Sequence, residues 1–139
     1  FNAIITLEVA LSGSPIFCCR DGVLRDLAGL RGTYRIIDKT QKAVGLLLGQ
    51  LELMGISEAC FYLDAPVSNS GRLSALILQC AKDYSVSVKT QIIPGVDRIL
   101  EQLEGVISGD AIILNRCISW LNIMPQIVGQ MEQAWMVSL

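Results

Sequence analysis

Short apolar runs of strand length alternate with helical patterns along this chain, and this alternation most constrains its fold. Residues 15–19 and 59–63 are continuous apolar runs, and residues 86–93 are rich in β-branched side chains. Continuous runs are typical of strands that are buried on both faces, and intervening helices connect such strands in parallel. The pattern predicts the α/β class, with a mostly parallel central sheet between two helical layers.

The remaining elements follow from apolar spacing and from helix start and stop residues. Asn2 is expected to cap the first helix. No repeat or linker divides the chain, so we expect one domain over residues 1–139. The predicted helices are residues 3–11, 40–54, 71–84, 97–103 and 111–129, and further strands are predicted at residues 106–108 and 134–139. The alternative for residues 111–114 is that they extend a strand.

The complete absence of histidine excludes several classes of function. Neither a Ser-His-Asp nor a Cys-His catalytic arrangement can form, and histidine-ligated metals are excluded with them. The five cysteines contain no C-x-x-C pair and are odd in number, which favours reduced, buried thiols in a cytoplasmic protein. No apolar stretch is long enough to span a membrane, and no signal peptide is recognisable.

Three aspartates follow three successive predicted strands. Asp64 comes directly after residues 59–63, Asp97 follows the turn at Pro94–Gly95, and Asp110 follows Gly109. Ligands of parallel sheets bind beyond the carboxyl ends of the strands, and a divalent cation relieves repulsion among carboxylates. The pattern predicts either a catalytic Mg²⁺ or Mn²⁺ site or a phosphate site formed by Asp64, Asp97 and Asp110. The alternative is that each aspartate only caps the helix that follows it.

Two further segments are candidate phosphate contacts. The loop of residues 20–39 is rich in cations, among them Arg20, Arg25 and Arg31, and it suits a local contact with RNA or single-stranded DNA. Ser68, Asn69 and Ser70 open a helix whose backbone N–H groups suit an anionic oxygen. The alternatives are a solvated loop with internal ion pairs and ordinary helix capping. Glu8, Asp21 and Asp26 are additional acids to which the sequence assigns no role.

Four segments resemble the PIN-like (NYN-type) nucleases and, more narrowly, archaeal and bacterial proteins whose domain has no assigned function. They are FNAIITLE at residues 1–8, RDGVLRD at 20–26, FYLDAPVS at 61–68 and VISGD at 106–110. The resemblance implies an α/β fold in which Asp64, Asp97 and Asp110 bind Mg²⁺ or Mn²⁺ for the hydrolysis of RNA or DNA. It also implies a first strand and a further aspartate before Phe1, so we expect the 139-residue chain to be truncated and nearly inactive.

These observations favour a metal-dependent nuclease, and the alternative is a non-catalytic nucleotide- or RNA-binding module of the same fold. A phosphatase of the haloacid dehalogenase type is disfavoured, because Ala65–Pro66 follows Asp64 where that site needs a second aspartate. RNA or single-stranded DNA is the expected partner. We also expect a homodimer and no association with membranes.

Overall fold

A computed structural model describes residues 1–29 and 34–139 and divides the chain into two compact units. Unit 1 comprises Phe1–Gly29 and Asp97–Leu139, and unit 2 comprises Leu30–Val96. In chain order the elements are α1 (Asn2–Leu11), β1 (Pro15–Cys18), β2 (Leu24–Arg25), α2 (Asp38–Leu53), β3 (Glu58–Asp64), α3 (Ser70–Ala81), β4 (Ser87–Ile93), α4 (Val96–Leu100), α5 (Ala111–Arg116), α6 (Met124–Val128) and β5 (Trp135–Ser138).

Unit 1 contains a three-stranded sheet in the order β2-β1-β5. β1 pairs in parallel with β5, from Pro15 opposite Trp135 to Cys18 opposite Ser138, and antiparallel with β2. Helix α1 contacts β1 and α6, and eight of its ten residues are buried. Burial on nearly all sides is typical of a helix that lies inside a core, although two of the buried residues of α1, Thr6 and Glu8, are polar or charged.

The turn between β1 and β2 follows from the pair Asp21–Gly22. Gly22 has φ +81°, a left-handed conformation that glycine adopts without steric cost. The Gly22 N–H donates to the Cys19 carbonyl (2.9 Å), and the Val23 N–H donates to Asp21 Oδ1 (3.0 Å). These two hydrogen bonds and the conformation of Gly22 reverse the direction of the chain, so that β2 pairs antiparallel with β1.

Unit 2 contains a parallel pair of strands and two long helices. β3 pairs with β4 along seven residues each, from Glu58 opposite Ser87 to Asp64 opposite Ile93. Helix α3 packs on both strands and against α2, and the Ser74 and Thr90 hydroxyls hydrogen-bond each other at 2.6 Å. The buried face of α2 has the spacing expected of an amphipathic helix: Thr40, Ala43, Val44, Leu47, Leu48 and Leu51.

The mixed α/β class is confirmed, and so are most of the predicted elements. A single three-layer sheet is not confirmed, since the described strands form one sheet of three strands and one of two. Residues 106–108 form no extended strand, because Val106 makes an isolated bridge with Trp120. Residues 111–129 form two short helices instead of one, with Cys117 extended at the end of α5 and Pro125 in the first turn of α6.

Two further predictions need correction. Asn2 does not cap α1, because the helix begins at Asn2 itself and Phe1 occupies the cap position. All five cysteines are free, as expected, but Cys80 alone among them is buried, whereas Cys60 is exposed on β3. Among the described residues, no helix combines the length and apolar character needed to cross a bilayer.

Candidate functional site

Asp110 lies at the start of α5 in unit 1 and caps that helix. Its Oδ1 accepts hydrogen bonds from the backbone N–H groups of Ile112 (2.8 Å) and Ile113 (3.2 Å). The Asp110 N–H donates to Ser108 Oγ at 3.1 Å. The capping role that the sequence suggested for Asp110 is therefore confirmed, and it fixes the orientation of the carboxylate.

The turn that carries Asp110, residues 108–110, is held by two side chains from distant parts of unit 1. Asn2 Nδ2 donates to Ser108 Oγ (3.0 Å), and the Gly109 N–H donates to Asn2 Oδ1 (3.1 Å). Arg25 Nε donates to the Gly109 carbonyl at 2.6 Å. We call Asn2, Arg25 and residues 108–110 the Asp110 turn cluster.

Arg25 also forms an ion pair with Asp21. Nη1 and Nη2 donate to the two carboxylate oxygens at 3.1 and 2.9 Å, the two-pronged geometry that guanidinium favours. The bond from Arg25, with help from the Val23 N–H, holds the pKa of Asp21 below its ordinary value. Hydrogen bonding to Asp21 in turn raises the pKa of Arg25. Arg25 was predicted to contact phosphate, but all three of its guanidinium nitrogens already donate hydrogen bonds to other groups of the protein.

Asp26 adjoins Arg25 in the chain and is anchored to α1. Its Oδ2 accepts from the Thr6 hydroxyl (2.7 Å), and its Oδ1 accepts from the Ala28 N–H (2.9 Å). Thr6 is buried, so this bond ties the segment after β2 to the helix that also carries Asn2. The sequence offered no local signal for Asn2 or Thr6, because their partners lie 106 and 20 residues away.

Asp64 lies in unit 2, at the carboxyl end of β3, as predicted. Its Oδ1 accepts a long hydrogen bond from the Val96 N–H (3.4 Å), and its carbonyl accepts from the Val67 N–H (3.0 Å). Ser70 Oγ lies 2.9 Å from the same carbonyl and 2.7 Å from that of Val67. The hydroxyl of Ser70 is therefore directed at backbone carbonyls, which is a structural role.

The other residues predicted to contact phosphate differ in how exposed they are and in whether they already form hydrogen bonds. Asn69 has φ +66°, and its Nδ2 donates to the Tyr34 carbonyl at 2.6 Å. Ser68 is exposed in the preceding turn. Of the predicted cationic contacts, Arg20 is exposed in unit 1, whereas Arg31 lies outside the described residues.

Asp97 lies in unit 1 within the first turn of α4, which begins one residue earlier, so Asp97 does not occupy the N-cap position that the sequence suggested. Asp97 and Asp110 thus belong to unit 1, and Asp64 belongs to unit 2. Within either unit, among residues 1–29 and 34–139, no three Asp, Glu or Cys side chains are grouped so that they could bind one metal ion. A metal site shared by Asp64, Asp97 and Asp110 stays a prediction.

Comparison with known proteins identifies the family. No solved structure matches the chain significantly. The chain is 35% identical over 114 residues to an uncharacterised protein of Methanocaldococcus jannaschii, a match that covers 82% of this chain and 54% of that protein. The chain therefore spans about half the length of this curated relative. Residues 1–126 match the family described as Domain of unknown function (DUF5616), and the chain belongs to this family.

Proposed function

We propose that this domain is a Mg²⁺- or Mn²⁺-dependent nuclease that hydrolyses phosphodiester bonds in RNA or single-stranded DNA. Asp110 is the central metal ligand of the proposal, and Asp97, in the same unit, is a further ligand. The proposal includes membership of the PIN-like superfamily and its three-layer sheet, which the parallel pairs β1–β5 and β3–β4 support. The observation that carries the proposal is the fixed orientation of the Asp110 carboxylate.

The donor atoms around Asp110 fit a hard cation. Both helix N–H bonds end on Oδ1, and within the described part of the chain Oδ2 accepts no hydrogen bond. A cation can therefore bind Oδ2 while Oδ1 continues to cap α5. Mg²⁺ commonly binds proteins through one or two carboxylates and completes its coordination with water and substrate phosphate. One well-oriented carboxylate in unit 1 is consistent with that mode of binding.

The chemistry of the proposed site divides between the cation and the protein. When bound, the cation supplies an activated water and stabilises charge on the attacking and leaving oxygens. Asp110 holds the cation, and the exposed Arg20 contacts the nucleic-acid backbone. The net charge of −2 means that such a contact is local and does not spread over a broad basic face.

Cleavage of a labelled single-stranded RNA, with protein in excess over RNA, tests the nuclease proposal. These conditions detect even slow turnover over hours. We expect Mn²⁺-dependent cleavage that Asp110→Asn reduces by about 10² or more, because loss of the carboxylate weakens binding of the cation whose positive charge would stabilise the transition state. Asparagine is also a good N-cap, so α5 remains capped in this variant.

Glu104→Gln is the matched control, since it removes one exposed carboxylate of unit 1 that lies outside the Asp110 turn cluster. Cleavage that does not depend on metal, or that Asp110→Asn and Glu104→Gln affect equally, would contradict the proposal.

A second candidate function is non-catalytic RNA binding. It is favoured because residues of the predicted site have structural roles. Asp110 caps a helix, and Arg25 is hydrogen-bonded to Asp21 and Gly109. In this case RNA binds without being cleaved, and its affinity falls with salt. Replacing Arg20 with alanine should then flatten the plot of log affinity against log salt by about 0.7, the value for one single-strand phosphate contact.

A further inference from the structure

The edge of β4 that faces away from β3, here called the outer edge, carries no further strand in the part of the chain that the structure describes. We propose that this edge is the interface of a homodimer, in which β4 pairs antiparallel with β4 of a second copy about a twofold axis at Thr90. The inference is independent of metal binding and of nuclease activity. It names the surface and the register through which two copies of the chain associate.

The backbone hydrogen-bonding groups of β4 alternate between its two edges. The Ser87 N–H donates to the Ser57 carbonyl at 2.8 Å, so the odd-numbered residues of β4 bond to β3. The even-numbered residues direct their N–H and C=O groups to the outer edge: Val88, Thr90 and Ile92. An antiparallel copy of β4 pairs all three when Thr90 lies opposite Thr90 of the second copy, because each Val88 then lies opposite an Ile92.

Apolar side chains border the outer edge on the face that α3 covers. The hydroxyl of Ser74 on α3 is bonded to that of Thr90, and Leu78 follows Ser74 by one helical turn on the same side of α3. Leu78 and Ile92 are each 41% exposed. The register centred on Thr90 forms two cross-strand pairs of the β-branched Val88 and Ile92. An isolated extended peptide would leave Leu78 exposed, whereas a second copy brings its own α3 to the same edge.

Charge and backbone chemistry select this register over its neighbours. On the face away from α3, the register centred on Thr90 places Lys89 opposite the uncharged Gln91. A register centred on Lys89 would place the two Lys89 ammonium groups opposite each other, which destabilises strand pairing. A register centred on Gln91 would place Val88 opposite Pro94, which has no N–H to donate. The register centred on Thr90 therefore pairs all three outward residues without contact between like charges.

Sedimentation velocity over a range of protein concentrations measures the dimer. One strand edge and one side of a helix form a small contact beside the about 800 Å² per partner of standard interfaces, so we expect a reversible dimer with a micromolar Kd. Gln91 is exposed, and its replacement by Lys should weaken the dimer while its replacement by Glu should strengthen it. Each effect should be about fivefold, because position 91 faces Lys89 of the second copy twice per dimer.

Two controls separate this specific pairing from general effects. The net charge of −2 alone predicts the opposite order, since Gln91→Glu increases repulsion between copies and Gln91→Lys decreases it. Leu78→Gln should also weaken the dimer. Leu53→Gln is its matched control, because Leu53 is 82% exposed at the end of α2 in the same unit and should leave the Kd unchanged. Circular dichroism should show that all four variants fold like the parent.

Hydrogen exchange, followed by nuclear magnetic resonance, locates the interface through alternate residues. The amides of Val88, Thr90 and Ile92 should become protected as the protein concentration rises through the Kd. The amides of Lys89 and Gln91 bond to β3 and should be protected at every concentration.

Each alternative has its own outcome. A chain that stays monomeric at millimolar concentration overturns the inference. Protection of the even-numbered amides at every concentration would show that another segment of the same chain covers the edge, which also overturns it. Equal effects of Gln91→Lys and Gln91→Glu, or effects in the order that net charge predicts, would place the dimer contact on another surface. Opposite effects in the expected order, together with concentration-dependent protection of alternate amides, support the inference.

Discussion

At the scale of single residues, the Asp110 turn cluster combines side chains whose chemistry suits the partners that they contact. Aspartate is a preferred N-cap, and arginine is the side chain best suited to hold a carboxylate and a carbonyl together. The Arg25–Asp21 pair is partly exposed, with 26% and 43% of the two side chains accessible. Pairs of this kind add about 0.2–1 kcal/mol to stability, so their main effect is on geometry.

The lowered pKa of Asp21 predicts how this pair depends on pH. A carboxylate whose pKa is lower in the folded protein than in the unfolded chain stabilises the fold above the unfolded-state pKa of about 3.9. That contribution is lost as the pH falls through the folded-state pKa. We expect Asp21→Asn to lower the free energy of unfolding by about 0.5 kcal/mol at pH 7. Urea denaturation should show this difference shrinking as the pH falls below the unfolded-state pKa of aspartate, and a difference that grows on acidification would contradict the assignment.

At the scale of elements, the β1–β2 turn depends on backbone conformation more than on packing. A Cβ added at Gly22 would meet its nearest atom, Asn122 Nδ2, at an ordinary 3.7 Å, but φ there is +81°. Gly71, in the first turn of α3, has open space around it and no such conformation. A comparison of substitutions at the two glycines therefore distinguishes the effect of backbone conformation from that of steric contact.

Replacing each of these glycines with alanine should give opposite results. We expect Gly22→Ala to destabilise the protein by about 1–2 kcal/mol, because a left-handed conformation is costly for an L-residue with a side chain. Gly71→Ala should stabilise it by up to about 1 kcal/mol, since alanine is the better helix former. Thermal or urea unfolding measures both, and equal effects of the two changes would show that φ at Gly22 does not govern the turn.

At the scale of the whole molecule, the aspartates predicted to bind metal lie in two different units and have different structural surroundings. Unit 1 fixes Asp110 through residues from α1, β2 and the start of α5, and unit 2 fixes Asp64 at the end of a parallel strand pair. Binding of a cation at Asp110 would be linked to the folding of unit 1, because the cluster that orients this carboxylate exists only in the folded chain.

Metal linkage should therefore appear as a change in global stability. We expect Mn²⁺ at about 100 times its Kd to stabilise the protein by about 2.7 kcal/mol and to raise the melting temperature by several degrees. Asp110→Asn should abolish this shift, because it removes the ligand and keeps the helix cap. Calorimetry with and without Mn²⁺ measures the shift, and an equal shift in Asp110→Asn would exclude Asp110 as a ligand.

Local pattern alone determined much of the secondary structure and part of the site. The apolar spacing of α2, the continuous run of β3, the turn at Asp21–Gly22 and the capping role of Asp110 all involve residues within a few positions of each other. Their energetics depend on neighbours in the chain, so the residue types are sufficient to indicate them.

Tertiary structure decided which of these local features meet. The pairing of β1 with β5 joins residues 120 positions apart, and the bonds from Asn2 and Arg25 to Gly109 span 107 and 84 positions. Such contacts are selected by how buried helices and strands pack, and a side chain with several hydrogen-bonding options takes the partner that packing brings to it. Asparagine at the start of a helix is therefore compatible with a cap from sequence alone, and only the packing of α1 in unit 1 directs Asn2 to the turn that carries Asp110.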